Sequence, residues 1–306
     1  MQHLYSSYGL IFASDIELPE LADAAPTDQS ADVILRRAKV SIPQDKRAQA
    51  SWYAFTDEGA TFWWSTVGGF RISTLGDMVD IEPAPGVNDD LIAFPLLGPV
   101  LSEVLRRQGY FVMHASAVEI DGRGVALMAD KGTGKSSSCM ALLRGGARIL
   151  ADDLVAVETD TSVIQPGFAQ VKLDQRVVNG LNKDKWIARP TVHDAIDKVR
   201  VMVPDLLAPC AVPAARLYVL ERRQRADVQI DSIPTDLLLP STLRFSYAAR
   251  FGATLLQGEA SAGHFRHAAA IVNKVLIKRL ILPDGLDRLD ALYDVIASDL
   301  RDTGDG

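Results

Sequence analysis

Cysteine is nearly absent from this chain: of 306 residues, only Cys139 and Cys210 are cysteines. That excludes a disulfide framework and a cysteine-built zinc cluster, and it fits a reducing compartment. Cations are outnumbered. Lys and Arg total 32 against 39 Asp and Glu, a net charge of −7, so there is no overall basic footprint for nucleic acid. Long apolar runs are missing too. The most apolar stretch, Leu91 to Leu105, is interrupted by Pro95, Gly98 and Pro99. It falls short of the roughly 18 continuous residues that a membrane-crossing helix needs. The opening residues, MQHLYSSYGLIFASDIELPEL, lack the basic-then-apolar pattern of a secretion signal. A cytoplasmic protein without membrane or nucleic-acid contact is the expectation. What remains is ordinary globular composition, 48% hydrophobic and 23% charged, which argues against disorder. At about 150 residues per domain the length allows two.

Residues 1–108 read as a β-rich domain ending in a linking helix. The runs Trp52 to Thr56, Thr61 to Trp64, Phe70 to Thr74 and Met78 to Ile81 are separated by Gly- and Asp-bearing turns, the pattern of an antiparallel meander. Three of the four tryptophans fall here, and core packing is a better reading of them than an aromatic binding face. Pro83 to Gly86 reads as a linker. Asn88 or Asp89 then caps a helix reaching about Arg107, kinked between Pro95 and Pro99. From 109 to 306 strands and helices alternate, the pattern of an α/β nucleotide-binding domain. Phe111 to Ile120 reads as one strand, Asp121 to Gly124 as a turn, and Val125 to Met128 as the next strand. Near the end come a helix from Gly263 to Lys278, a strand from Leu280 to Leu282, and a helix from Leu286 to Leu300.

The strongest chemical signal is Ala129-Asp130-Lys131-Gly132-Thr133-Gly134-Lys135-Ser136, between an apolar strand and the helix pattern that begins at Ser137. This is the strand–loop–helix setting of a phosphate-binding loop. Gly132 and Gly134 let backbone N–H groups converge on one anion at a helix N-terminus. Lys135 reaches the β- and γ-phosphates, and the Ser136 hydroxyl is placed for Mg²⁺. Ala129 stands where the usual pattern has its first glycine. The second signal is Asp152-Asp153 at the end of the strand-like Arg148 to Ala151. A short crossover is expected to set this strand close beside the loop strand, with both carboxylates at the phosphate end of the sheet. Adjacent strand residues face opposite ways. One Asp can therefore orient Mg²⁺ while the other accepts a proton from a hydroxyl. His114, one strand upstream, reads as a packed histidine close to this site. Asn182 to Lys185 and Asp121 to Gly124 echo GTPase motifs at the wrong spacing or on the wrong side of the loop, which disfavours a regulatory GTPase. There is no LSGGQ signature of a transport ATPase.

The stretch from His114 to Glu158 resembles the catalytic core of the HPr serine kinase/phosphorylase family. Its flanks resemble relatives associated with lasso-peptide and other modified-peptide pathways. The resemblance implies an α/β phosphate-loop kinase domain of the HPr kinase/PEP-carboxykinase-like type behind the β-rich front. It also implies an ATP- and Mg²⁺-dependent serine kinase acting on a peptide or small protein, with a lasso-peptide precursor among the acceptors. Carried onto this sequence, Ala129 to Ser137 hold nucleotide, and Ser136, Asp152 and Asp174 hold metal. Lys135, His114, Asp152, Asp153 and Arg200 serve catalysis, with Lys198 beside Arg200. The family's ETAL after the loop serine is replaced by Ser137-Ser138-Cys139. A nucleotide-dependent peptide-binding module and a small-molecule kinase of the PEP-carboxykinase-like kind remain open alternatives, as does a homo-oligomer.

Overall fold

In a computed structural model the described residues are 2–24, 30–179, 187–189, 198–224, 227–284 and 289–302. Asn182 to Lys185 and Asp197 lie outside them. The chain is a mixed α/β protein with several sheets. The front holds β1 (His3–Ser7), β2 (Leu10–Ser14), β3 (Ala22–Asp23), β4 (Val33–Arg37), α1 (Gln44–Arg47), β5 (Ser51–Thr56), β6 (Gly59–Trp64), β7 (Gly68–Ile72) and β8 (Met78–Pro83). Among the described residues these strands form one 8-stranded sheet in the order β3-β1-β2-β4-β8-β7-β6-β5. The expected meander is β5 to β8, antiparallel throughout. The sheet as a whole is mixed, because β4 runs parallel to both β2 and β8. Phe62 and Phe70 are fully buried on its inner face, as core packing of the aromatic residues requires.

Helix α2 (Asp89–Pro95) starts where expected. Asn88 Oδ1 accepts from Leu91 N at 3.0 Å, and Asp89 and Asp90 sit in the positive first turn. Pro95, Pro99 and a non-helical Gly98 interrupt the helix before α3 (Leu101–Arg107) resumes. The rear then runs β9 (Tyr110–Met113), β10 (Ala115–Ile120), β11 (Arg123–Met128), α4 (Lys135–Arg144), β12 (Arg148–Asp152), β13 (Val155–Glu158) and β14 (Val163–Ile164). It continues through β15 (Gln170–Asp174), α5 (Gln175–Asn179), β16 (Ile187–Arg189), β17 (Lys198–Met202), β18 (Val212–Arg222), β19 (Gln229–Ser232) and α6 (Thr235–Arg244). It closes with α7 (Gly258–Lys274), β20 (Leu276–Leu282) and α8 (Leu292–Arg301).

Two expectations need correction here. Phe111 to Ile120 is not one strand. His114 breaks it, its N–H donating to Phe245 O at 2.8 Å, so β9 pairs with β13 while β10 pairs with β11 and β12. Nor is β12 next to β11. The order β12-β10-β11-β18 inserts β10, antiparallel to both neighbours. The hairpin turn at Asp121-Gly122 folds β10 back onto β11 and occupies the place a direct crossover would have given β12. The long strand β18 then runs parallel to β11 and to β20. A third sheet, β15-β17-β16, puts Val171, Leu173, Val199 and Val201 into the core beside α4 and leaves Lys172 and Arg200 paired on its other face.

One hydrophobic cluster runs from Tyr5 and Phe62 of the front sheet through Leu105 of α3 to Ala126 of β11 and Ile277 of β20. The apex of the β1–β2 hairpin is driven into the rear. Tyr8 is fully buried, its N–H donates to Pro166 O at 2.8 Å, and its hydroxyl donates to Leu154 O at 2.9 Å. Phe251 packs among Tyr53, Phe55 and Phe62 of the meander, at ring-centroid distances of 5.4, 5.1 and 5.8 Å. Among the described residues no helix is long and apolar enough to cross a membrane.

Candidate active site

The loop after β11 turns through Gly132 (φ +88°) and Gly134 (φ +108°), both left-handed, so glycine is the residue that reaches these angles without strain. Gly134 caps α4 with backbone alone. No side chain bonds this helix start and no acidic residue lies in its first turn. The first N–H groups of α4 therefore have no intrahelical partner and carry the positive end of the helix dipole, a setting suited to an anion. Lys135 is buried, and its Nζ donates to Ala129 O at 2.6 Å across the loop. Asp130 is exposed and paired with Arg244 at 2.7 Å.

Asp152 ends β12 and is buried. Its Oδ1 accepts from Ser116 Oγ at 2.5 Å, its Oδ2 accepts from Lys172 N at 2.8 Å, and Ser136 Oγ lies 3.2 Å from both oxygens. Burial pushes its pKa up, reinforced by the charge of Asp153 and opposed by the Ser116 and Lys172 hydrogen bonds. Asp153 adopts φ +80°, unusual for a residue with a Cβ, while its N–H stays bonded to Ala115 O. The turn swings its carboxylate away from that of Asp152. Oδ1 lies 3.0 Å from His114 Nδ1 and Oδ2 lies 2.8 Å from Lys172 Nζ. Burial opposes ionisation of Asp153, but the Lys172 ammonium and His114 outweigh it and hold the carboxyl well below the usual carboxylate range. The Tyr247 ring stands edge-on to His114, with centroids 6.0 Å apart.

The sequence-predicted residues thus meet in large part. The loop, Ser136, Asp152, Asp153 and His114 share one end of the sheet. Asp174 is exposed at the end of β15, two residues beyond Lys172 on the same strand face. Arg200 is buried opposite Lys172 in β17, where its Nη1 donates to Glu20 Oε1 at 2.6 Å; Arg189 reaches the same oxygen at 3.1 Å. Lys172 was missed. The alternation Gln170-Val171-Lys172-Leu173-Asp174 puts it on Asp174's face, the signal that could have found it.

The donor set suits a hard cation. Ser136 Oγ and the Asp152 carboxylate are two oxygens side by side, and Mg²⁺ is commonly held by one or two such protein oxygens, with phosphates and water completing the shell. Among the described residues, no group of three or more His, Cys, Asp or Glu side chains forms a metal cage.

No known protein family matches the chain, and no curated protein matches it. Among solved structures, the HPr(Ser) kinase/phosphatase from Coxiella burnetii is similar at 12% identity and a TM-score of 0.31, over 61% of this chain and 89% of that one.

Proposed function

We propose that the protein is a kinase that transfers the γ-phosphoryl group of ATP to a serine hydroxyl of a peptide or small protein. One observation carries this reading. An uncapped helix start with Lys135, the Ser136–Asp152 oxygen pair and an ionised Asp153 converge at one sheet end. The backbone N–H groups from Gly132 to Ser137 and the Lys135 ammonium hold the phosphates, with Ala129 to Lys131 and Thr133 shaping the loop. Ser136 and Asp152 would hold Mg²⁺, which when bound draws negative charge off the phosphate oxygens.

Asp153 orients the acceptor hydroxyl. As the serine Oγ forms its bond to the γ-phosphorus, the bond from that phosphorus to the ADP oxygen breaks, and the hydroxyl proton passes to Asp153. A carboxylate with a depressed pKa is a weak base, so its main effect is positioning, with proton transfer late in the step. Lys172 and His114 fix the carboxylate's direction.

The test is incubation of the purified protein with γ-labelled ATP and serine-containing peptides. Transfer to serine that disappears in Asp153→Asn, with ATP binding intact, is the expected result. Undiminished transfer in that variant overturns the proposal. So does a wild-type protein that binds ATP yet transfers phosphate to no peptide, which is the behaviour of a nucleotide-dependent binding module.

A further inference from the structure

On the side of the loop away from Asp152 stands a cation outside the loop motif. Arg222 is the last residue of β18, the strand that flanks β11 opposite β10, so it arrives at the loop from the other side of the sheet. Two carbonyls anchor its guanidinium: Nε donates to Thr133 O at 2.8 Å, and Nη1 donates to Pro283 O at 2.5 Å. The third nitrogen, Nη2, lies over Gly134. A Cβ built on that glycine would sit 2.5 Å from Nη2. Among the described residues Nη2 donates to no protein acceptor, and no carboxylate pairs with Arg222. Its neighbour Arg223, by contrast, is paired with Glu221 at 2.8 Å. Among the described residues no countercharge meets this half-buried guanidinium, which two neutral carbonyls fix in place. Here the charge is held beside the first N–H groups of α4, where backbone donors already favour an anion.

We propose that Arg222 is a phosphate-binding residue of this site, its Nη2 donating to a phosphoryl oxygen seated on the loop while Thr133 and Pro283 hold the guanidinium in place. The proposal rests on the nucleotide-binding reading and adds a second cation, opposite Lys135, to the polyphosphate cradle. It also gives the left-handed turn at Gly134 a second constraint, since any side chain there would displace the guanidinium.

The test compares adenosine, AMP, ADP, ATP and inorganic tripolyphosphate by calorimetry on the full chain, for the wild-type protein, Arg222→Gln and Arg222→Lys. A wild-type protein that binds neither ATP nor tripolyphosphate sinks the nucleotide reading itself, and this proposal with it. Given wild-type binding, Arg222→Gln is expected to weaken ATP and tripolyphosphate about 10- to 100-fold, as loss of a charge-assisted hydrogen bond does, and to leave adenosine unchanged. Arg222→Lys, which keeps the charge but loses the fork, falls between. Equal losses for adenosine and ATP would mean that Arg222 only holds the loop together. Unchanged ATP and tripolyphosphate affinity in Arg222→Gln would mean that it touches no phosphate. Either result overturns the proposal. Should Arg222→Gln fail to fold, the Arg222→Lys series is read by the same criteria.

Discussion

Asp152 and Asp153 are neighbours in sequence and opposites in electrostatics. Burial pushes one carboxyl up, and the Lys172 ammonium is the leading force pulling the other down. Lys172 touches both, one through its backbone N–H and the other through its ammonium. Lys172→Met keeps the first contact and removes the second. It is expected to lower kcat on the order of 100-fold with KM for ATP little changed, and Lys172→Arg to restore part of the loss, both read by steady-state kinetics. The two loop glycines should separate as well. Gly132 has φ +88° and open space around an added Cβ, whereas Gly134 has φ +108° and the Arg222 guanidinium in the way. Gly132→Ala should cost about 1 kcal/mol of stability, and Gly134→Ala more than that together with most nucleotide affinity, by thermal melts and titration. The loop was legible because its chemistry is written in consecutive residues. Lys172 and Arg222 were not, because tertiary packing brings them in from separate elements: Lys172 reaches the aspartate pair from β15 of the small third sheet, and Arg222 reaches the loop from the end of β18.

Elements differ from their sequence reading where tertiary pairing overrides local pattern. The helix expected from Gly263 to Lys278 runs instead from Gly258 to Lys274. The chain switches to strand at Leu276, because Leu276 to Leu282 pair in register with Arg216 to Arg222. The last helix is α8, Leu292–Arg301, held by Asp299. That carboxylate takes Arg216 at 3.0 Å, the Tyr218 hydroxyl at 2.6 Å and Lys278 at 2.5 Å. Asp299→Ala leaves Arg216 and Tyr218 buried without this acceptor and is expected to cost about 2–3 kcal/mol, measured by urea unfolding.

Helix α7 carries a pH-sensitive contact. His264 stacks on Phe111 with ring centroids 5.2 Å apart and lies 2.9 Å from Ser246 Oγ; burial, then Arg106 and His267, lower its pKa to about 4. The unfolded chain takes up this proton near pH 6.5 and the folded chain only near 4, so this contribution is complete above pH 6.5 and is lost as pH falls towards 4. The site opens on a cavity of about 370 Å³. With that solvent screening, the loss between pH 7 and 5 is about 1 kcal/mol. His264→Gln should flatten this limb of the stability–pH curve in chemical denaturation.

At the scale of the whole molecule, the sequence reading puts a domain boundary near residue 109, and the meander β5 to β8 ahead of it was readable. The strands β1 to β4 were not: β1 and β2 form a local hairpin, but β4 finds its partner β8 only beyond the other meander strands. The core they build does not stop at that boundary. It runs from Tyr5 to Ile277 through both large sheets, and Glu20 of the front, its side chain 1% exposed, binds Arg189 and Arg200 of the rear. A fragment of residues 109–306 would bare the rear half of this cluster. It is expected to aggregate or to lose cooperative unfolding, checked by calorimetry against the full chain.

The buried hairpin apex also sets an order of events during synthesis. Tyr8 leaves the ribosome early, but Leu154 and Pro166, the partners of its hydroxyl and N–H, follow 146 residues later and beyond. At about 5–20 residues per second that is a wait on the order of ten seconds or more, with β1 and β2 holding an aromatic plug that has nowhere to go. The turn that carries Asp153, one residue before Leu154, cannot gain its backing until the β1–β2 hairpin, made long before it, is threaded in behind it. Contacts this distant in sequence close slowly, so β1 and β2, though made before the strands that receive them, are among the last to dock.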